Sequence, residues 1–124
     1  MRKILIVGGG YAGFYAAWRL ERRLRRGEAE VTIVDPRGYM TYQPFLPEVA
    51  AGSVEARHVV VPLRAHLRTT RVIEGYTTAV DHKHRSAVVR TLDGREHRIG
   101  YEIVVLTAGA VTRTLPVPGL TDRA

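Results

Sequence analysis

Lys3-Ile4-Leu5-Ile6-Val7 followed by Gly8-Gly9-Gly10-Tyr11-Ala12-Gly13 reads as a strand, a glycine-rich turn of the form G-x-G-x-x-G and the start of a helix. A helix N-terminus carries unpaired N–H groups and about half a positive charge, so an anion at this turn is stabilised by hydrogen bonds and by the dipole. The natural anion is a pyrophosphate. Gly8 permits the tight turn, Gly10 lets the backbone approach phosphates without an intervening Cβ, and Gly13 with Ala17 lets the helix lie close to the strand. Tyr11 and Ala12 complete the cradle. The next apolar run, Val31-Thr32-Ile33-Val34, ends in Asp35, about 20 residues beyond the last glycine, where a dinucleotide fingerprint places an acid. Asp35 is therefore expected to accept hydrogen bonds from an adenosine ribose. A 2′-phosphate would meet this carboxylate and be repelled, softened by Arg37, so FAD or NAD is favoured over NADP.

A chain of 124 residues allows one domain. No apolar run approaches the ~20 residues needed to cross a bilayer, and the first strand begins at once, so a cytoplasmic location is expected. The sequence contains no cysteine, which excludes a disulfide framework, a thiolate metal site and a Cys-pair redox relay within it. The net charge of +7 comes almost wholly from arginine. Arg19, Arg22, Arg23 and Arg26 recur at helical spacing opposite an apolar stripe of Ala16, Ala17, Leu20 and Leu24, so they read first as a solvated helix face, with Arg25 able to pair with Glu21. An acidic lipid surface is the second reading of this charge. Nucleic acid is not expected, because no basic stretch carries interleaved aromatics.

Beyond Asp35 the periodicity is lost from Pro36 to Ser53, a long loop holding Tyr39, Tyr42 and Phe45, and loops of this length are often functional. Val59-Val60-Val61 and Pro62 lead into a short helix through Leu67, with Pro62 at its first position. Arg71 to Glu74 reads as a short strand. Tyr76–Val80, Ser86–Leu92 and Glu96–Ile99 then read as three antiparallel strands, with Asp93-Gly94 as a hairpin turn. Ile103-Val104-Val105-Leu106 is a buried-type strand running into Thr107-Ala108-Gly109. His82 and His84 read as solvated turn residues and not as metal ligands. The fold class is thus α/β, a Rossmann-like dinucleotide-binding domain with a parallel sheet and an inserted three-stranded antiparallel meander.

This combination, from Ile4 to about Gly119, resembles the two-dinucleotide-binding-domain flavoproteins of the glutathione reductase structural class. In that class the glycine turn binds the ADP half of FAD, the strand-end acid holds its ribose, a meander follows, and a later strand ends in an A-T-G-like motif near the flavin. Here that motif is Thr107-Ala108-Gly109, with its first two positions exchanged. Within the class, Asp35-Pro36-Arg37 and Thr41-Tyr42-Gln43-Pro44-Phe45-Leu46-Pro47-Glu48-Val49-Ala50 are similar to type II NADH dehydrogenases, which pass electrons from NADH through FAD to quinone. The resemblance implies FAD as cofactor, a place beside the isoalloxazine for Gln43 and Pro44, and a backbone contact with adenine at Thr77. Disulfide reductases of the class carry a Cys pair in the loop that here is Tyr39 to Ser53, so electrons would leave the flavin directly. Sulfide:quinone reductases remain open as relatives.

The resemblance also implies NADH and quinone as partners of a longer protein, a peripheral place at the inner face of the cell membrane, and leaves a homodimer open. No second G-x-G-x-x-G occurs, so residues 1–124 read as a partial FAD-binding domain without the NADH-binding domain and C-terminal part. Alone it is expected not to oxidise NADH. No acid, base or nucleophile is assigned, because the chemistry belongs to the cofactor. An NAD-binding Rossmann dehydrogenase domain is the competing reading, disfavoured by the meander. A basic non-catalytic module binding lipid or nucleic acid is the third.

Overall fold

The computed structural model describes residues 1–41, 50–52 and 60–109. The elements run β1 (Arg2–Val7), α1 (Tyr11–Arg23), β2 (Ala29–Asp35), β3 (Tyr39–Thr41), β4 (Val60–Pro62), α2 (Leu63–His66), β5 (Arg71–Asp81), β6 (Ser86–Thr91), β7 (Glu96–Gly100) and β8 (Ile103–Leu106). Six strands form one sheet in the order β7-β6-β5-β2-β1-β8, and β3 pairs with β4 as a separate two-stranded ribbon. Strands β5, β2, β1 and β8 are parallel, whereas β5, β6 and β7 are antiparallel. The α/β architecture with a meander is as expected from the sequence.

The β1 run Ile4-Leu5-Ile6-Val7 is apolar at every position because both faces of this interior strand are covered. Ile4 and Ile6 point to the helical side and pack with Phe14, Ala17, Val31, Ile33, Met40, Leu63 and Leu67. Leu5 and Val7 point to the other side and pack with Val34, Ala87, Val89 and Tyr101. The meander therefore folds back over the sheet as a third layer. Phe14 was not part of the expected helix stripe, yet with Gly13 and Ala17 it is fully buried, while Ala16, Leu20 and Leu24 lie at the margin. Truncating such a side chain to Ala costs about 3–5 kcal/mol.

Four local expectations change. Arg71 to Glu74 and Tyr76 to Val80 are one continuous strand, β5, whose first half pairs in parallel with β2 and whose second half pairs antiparallel with β6. Gly75 marks the change, where a Cβ would lie 2.6 Å from the Arg90 carbonyl oxygen. A strand that changes partners midway carries no break in its own sequence. The stretch read as aperiodic contains β3, too short to show a period. Pro62 caps α2 instead of opening it. Finally, α1 ends at Arg23, so Arg25 and Arg26 lie beyond it.

Glu21 does not pair with Arg25. Its carboxylate accepts the backbone N–H groups of Arg68 (3.1 Å), Thr69 (2.8 Å) and Thr70 (2.7 Å), which ties α1 to the turn entering β5. Burial pushes the Glu21 carboxyl up, and these donors more than offset it and hold it below the usual range. In the meander, His84 bonds Asp81 at 2.7 Å, and His82 stacks on Tyr101 and meets its hydroxyl at 3.1 Å.

Candidate functional site

The sequence of β1 delivers Gly8 at the C-terminal end of this interior strand, between β2 on one side and β8 on the other. This is where strand order reverses, the crevice in which open α/β sheets bind ligands. Gly8 has φ +101°, and a Cβ there would lie 2.2 Å from the Thr107 carbonyl oxygen. Gly13 faces the same contact from the helix, since its Cβ would lie 1.9 Å from the Gly8 carbonyl oxygen. Both positions exclude any side chain. Gly10 differs, because a Cβ there would meet nothing within 4 Å. It is the N-cap of α1, with no side-chain cap and no acid in the first turn. The space beside it is the room a phosphate requires.

Two adjoining clefts of about 490 Å³ each form one groove across the strand ends. The first is lined by Gly10, Tyr11, Ala12, Thr107 and Gly109, and the second by Pro36, Tyr76 and Thr77, while Gly8, Asp35, Arg37 and Ala108 line both. The groove thus brings together ten of the residues expected from the sequence, Gly13 supporting it from below. Gln43 and Pro44 lie outside the described residues.

Asp35 is 3% exposed, and its carboxylate is already engaged. Oδ1 accepts the Gly9 N–H at 3.0 Å, and Oδ2 accepts the N–H groups of Arg37 at 2.9 Å and Gly38 at 3.1 Å. The strand-end acid therefore binds the glycine turn to the turn after β2. An ionised carboxylate has about four acceptor sites, so one remains for a ligand hydroxyl. Thr107 forms the second tie. Its N–H donates to the Val7 carbonyl at 2.8 Å, and its hydroxyl donates toward Gly8 O (2.9 Å) and Val7 O (3.1 Å). The exchanged threonine of the Thr107-Ala108-Gly109 motif thus fastens β8 to the first glycine.

Three contributors escaped the sequence reading. Gly9 stands at a variable position of the motif, yet its Cβ would lie 2.7 Å from Leu63 Cδ1 and 2.9 Å from Asp35 Cβ. Leu63, from α2, is wholly buried under the turn. Tyr76 is 58% exposed at the groove wall. Nothing local signals the first two, because they depend on how α2 packs. An exposed tyrosine amid β5 was the one available signal for the third.

A parallel sheet with a glycine turn at its switch point, a buried strand-end acid and a meander on one face defines a Rossmann-like dinucleotide-binding domain of the flavoprotein kind. The model of the pyridine nucleotide-disulphide oxidoreductase family matches residues 2–124, and the chain belongs to that family. Its relatives are type II NADH:quinone oxidoreductases over nearly its whole length. It is 30% identical over 130 residues to the mitochondrial external alternative NAD(P)H-ubiquinone oxidoreductase B2 of Arabidopsis thaliana, covering 98% of this chain and 22% of that one. It is 26% identical over 125 residues to a type II NADH:quinone oxidoreductase of Staphylococcus aureus, covering 99% and 30%. Its fold superposes on NDH2 of Plasmodium falciparum, solved in complex with NADH, with a TM-score of 0.85 at 23% identity, covering 98% and 25%. The chain therefore spans between 22% and 30% of the length of these proteins. Among the described residues no helix is long and apolar enough to cross a membrane.

Proposed function

We propose that this chain is the FAD-binding portion of an oxidoreductase that carries electrons from NADH through FAD to a quinone. The observation that carries the reading is the contrast among the glycines. Gly8 and Gly13 are filled by the chain itself, whereas Gly10 opens onto the groove at the start of α1. That is the pattern expected where a pyrophosphate lies against a helix N-terminus. When bound, FAD supplies hydride acceptance and electron donation, chemistry that no side chain here provides.

The chain's own residues bind and orient. The α1 N-terminus receives the pyrophosphate, the remaining lone pair of Asp35 accepts a ribose hydroxyl, and the second cleft, with Tyr76 and Thr77, takes the adenine. Thr107, Ala108 and Gly109 lead from the phosphates toward the flavin side, where Gln43 and Pro44 of the family-like stretch belong. The relatives' names favour quinone as acceptor and NADH as donor, and the peripheral membrane location follows from the same resemblance.

The test is the absorption spectrum of the purified protein together with an FAD titration. A bound flavin absorbs in the visible, and NAD does not. Saturable FAD binding that is lost in Gly10→Val, in a variant that remains folded, supports the reading. Unchanged FAD and ADP binding in that variant refutes it. The quinone step is tested by NADH oxidation in a protein that contains this chain and the remainder of its relatives' length, where loss of activity with Gly10→Val is expected.

A further inference from the structure

The layer between the parallel strands and the meander is sealed by Leu5, Val7, Val34, Ala87, Val89 and Tyr101. At the opposite end of the sheet from the glycine turn the same layer opens into a cavity of about 180 Å³. Its wall carries Lys3, Glu30, Thr32, Arg71 and Arg98 over a floor that includes Leu5. Lys3 is the register neighbour of Glu30 across β1 and β2, and Arg71 is that of Thr32 across β2 and β5. Arg98 comes from β7. Three cations distant in sequence are thus gathered around one carboxylate.

Among the described residues these cations form no ion pair, and the Arg98 side chain donates only to the Ser86 hydroxyl, at 3.5 Å. The ion pairs among the described residues join Arg64 to Glu74, His84 to Asp81, Arg90 to Glu96 and Arg95 to Asp93. None uses Lys3, Arg71 or Arg98. Asp81 lies outside the cavity lining and is bonded to His84 at 2.7 Å. Among the lining residues two positive charges remain in excess beside an apolar floor, and a cleft with low-dielectric walls concentrates their field. Arginine presents its N–H groups as a planar fork suited to tetrahedral oxyanions, and lysine adds a point charge. The volume equals about six waters, enough for one such group and too small for a nucleotide.

We propose that this cavity is a phosphoryl oxyanion site, taking inorganic phosphate or the headgroup of an anionic phospholipid. The experiment is an NMR titration of the chain with phosphate at constant ionic strength, reading the amides of Lys3, Arg71, Arg98 and Gly10. Saturable shifts are expected at the first three. Arg71→Gln with Arg98→Gln should weaken that binding about tenfold or more, the scale of two lost charge-assisted contacts. Arg19→Gln with Arg23→Gln removes the same charge from the exposed face of α1 and should leave the binding nearly unchanged. All four side chains are exposed, and the amide spectrum reports directly that each variant is folded. Sedimentation with vesicles of phosphatidylcholine, with and without phosphatidic acid, separates the sources. Capture by phosphatidic acid that fails in the Arg71/Arg98 variant assigns the lipid headgroup, and phosphate saturation without vesicle capture assigns the free anion. Equal losses in the two double variants, shifts confined to Gly10, or neither phosphate nor vesicle binding would overturn the proposal.

Discussion

Asp35 and Glu21 use the same chemistry at opposite ends of the sheet. Each carboxylate accepts three backbone N–H groups, Asp35 from Gly9, Arg37 and Gly38, and Glu21 from Arg68, Thr69 and Thr70. They differ in what the bonds enclose. Asp35 is buried in the wall of the groove and joins two turns that both border it. Glu21 sits on the flank of α1 and joins that helix to a turn remote from the groove. Fold and the proposed nucleotide binding therefore share a residue at one end of the sheet, whereas Glu21 at the other serves the fold alone.

The largest effect belongs to the turn itself. Gly13→Val places a Cβ against the Gly8 carbonyl and should cost about 3 kcal/mol in chemical denaturation, an overpacking penalty against rigid backbone. Gly10→Val should change stability by no more than about 1 kcal/mol, because its Cβ enters open space. It should nonetheless abolish nucleotide binding in a titration. Equal destabilisation by the two substitutions would break the division between structural and ligand-facing glycines.

Asp35→Ala comes next. It leaves three N–H groups without their charged acceptor, and a loss of about 2–3 kcal/mol in stability is expected alongside weaker ADP binding. Asp35→Asn should fall close to it, since the amide nitrogen must face one set of backbone donors. A variant that binds ADP poorly at full stability would show that the ribose contact outweighs the clamp. Glu21→Ala should cost about 1–2 kcal/mol, less because its site is wetter, and should leave ADP affinity unchanged. Thr107→Val, which removes a hydroxyl bonded to the Gly8 and Val7 carbonyls, should cost about 1 kcal/mol.

The smallest effect is read as a pH dependence. The hydrogen bonds at Glu21 hold its folded pKa below the unfolded value of 4.5. A depressed carboxylate contributes stability that is fully present above its unfolded pKa and is lost as pH falls through the folded one. Melting temperatures of the parent and Glu21→Gln should therefore stay apart above the unfolded pKa of 4.5 and converge as the pH falls through the lower folded value. A constant difference across that range would show that the clamp does not depend on the charge.

Much of this was written in consecutive residues. The strand, glycine turn and helix start at Lys3 to Gly13, the acid at Asp35 and the hairpin at Asp93-Gly94 rest on local backbone demands, met where they were expected. Gly8 and Gly94 both take positive φ, +101° and +87°. The sequence also sufficed for the α/β class, because an apolar run of strand length, rich in β-branched residues and ended by a glycine turn, reads as a strand covered on both faces. The partners of those residues were decided by packing across long separations. Asp35 reaches Gly9 across 26 positions, Glu21 reaches the turn at Thr69 across 48, and Thr107 reaches Gly8 across 99. No periodicity encodes such pairs, since each depends on where a helix or strand from elsewhere comes to rest. The same holds for β5, whose change of partner at Gly75 is set by the neighbours on its two sides, and for the cations of Lys3, Arg71 and Arg98, which only the folded-back meander brings around one cavity.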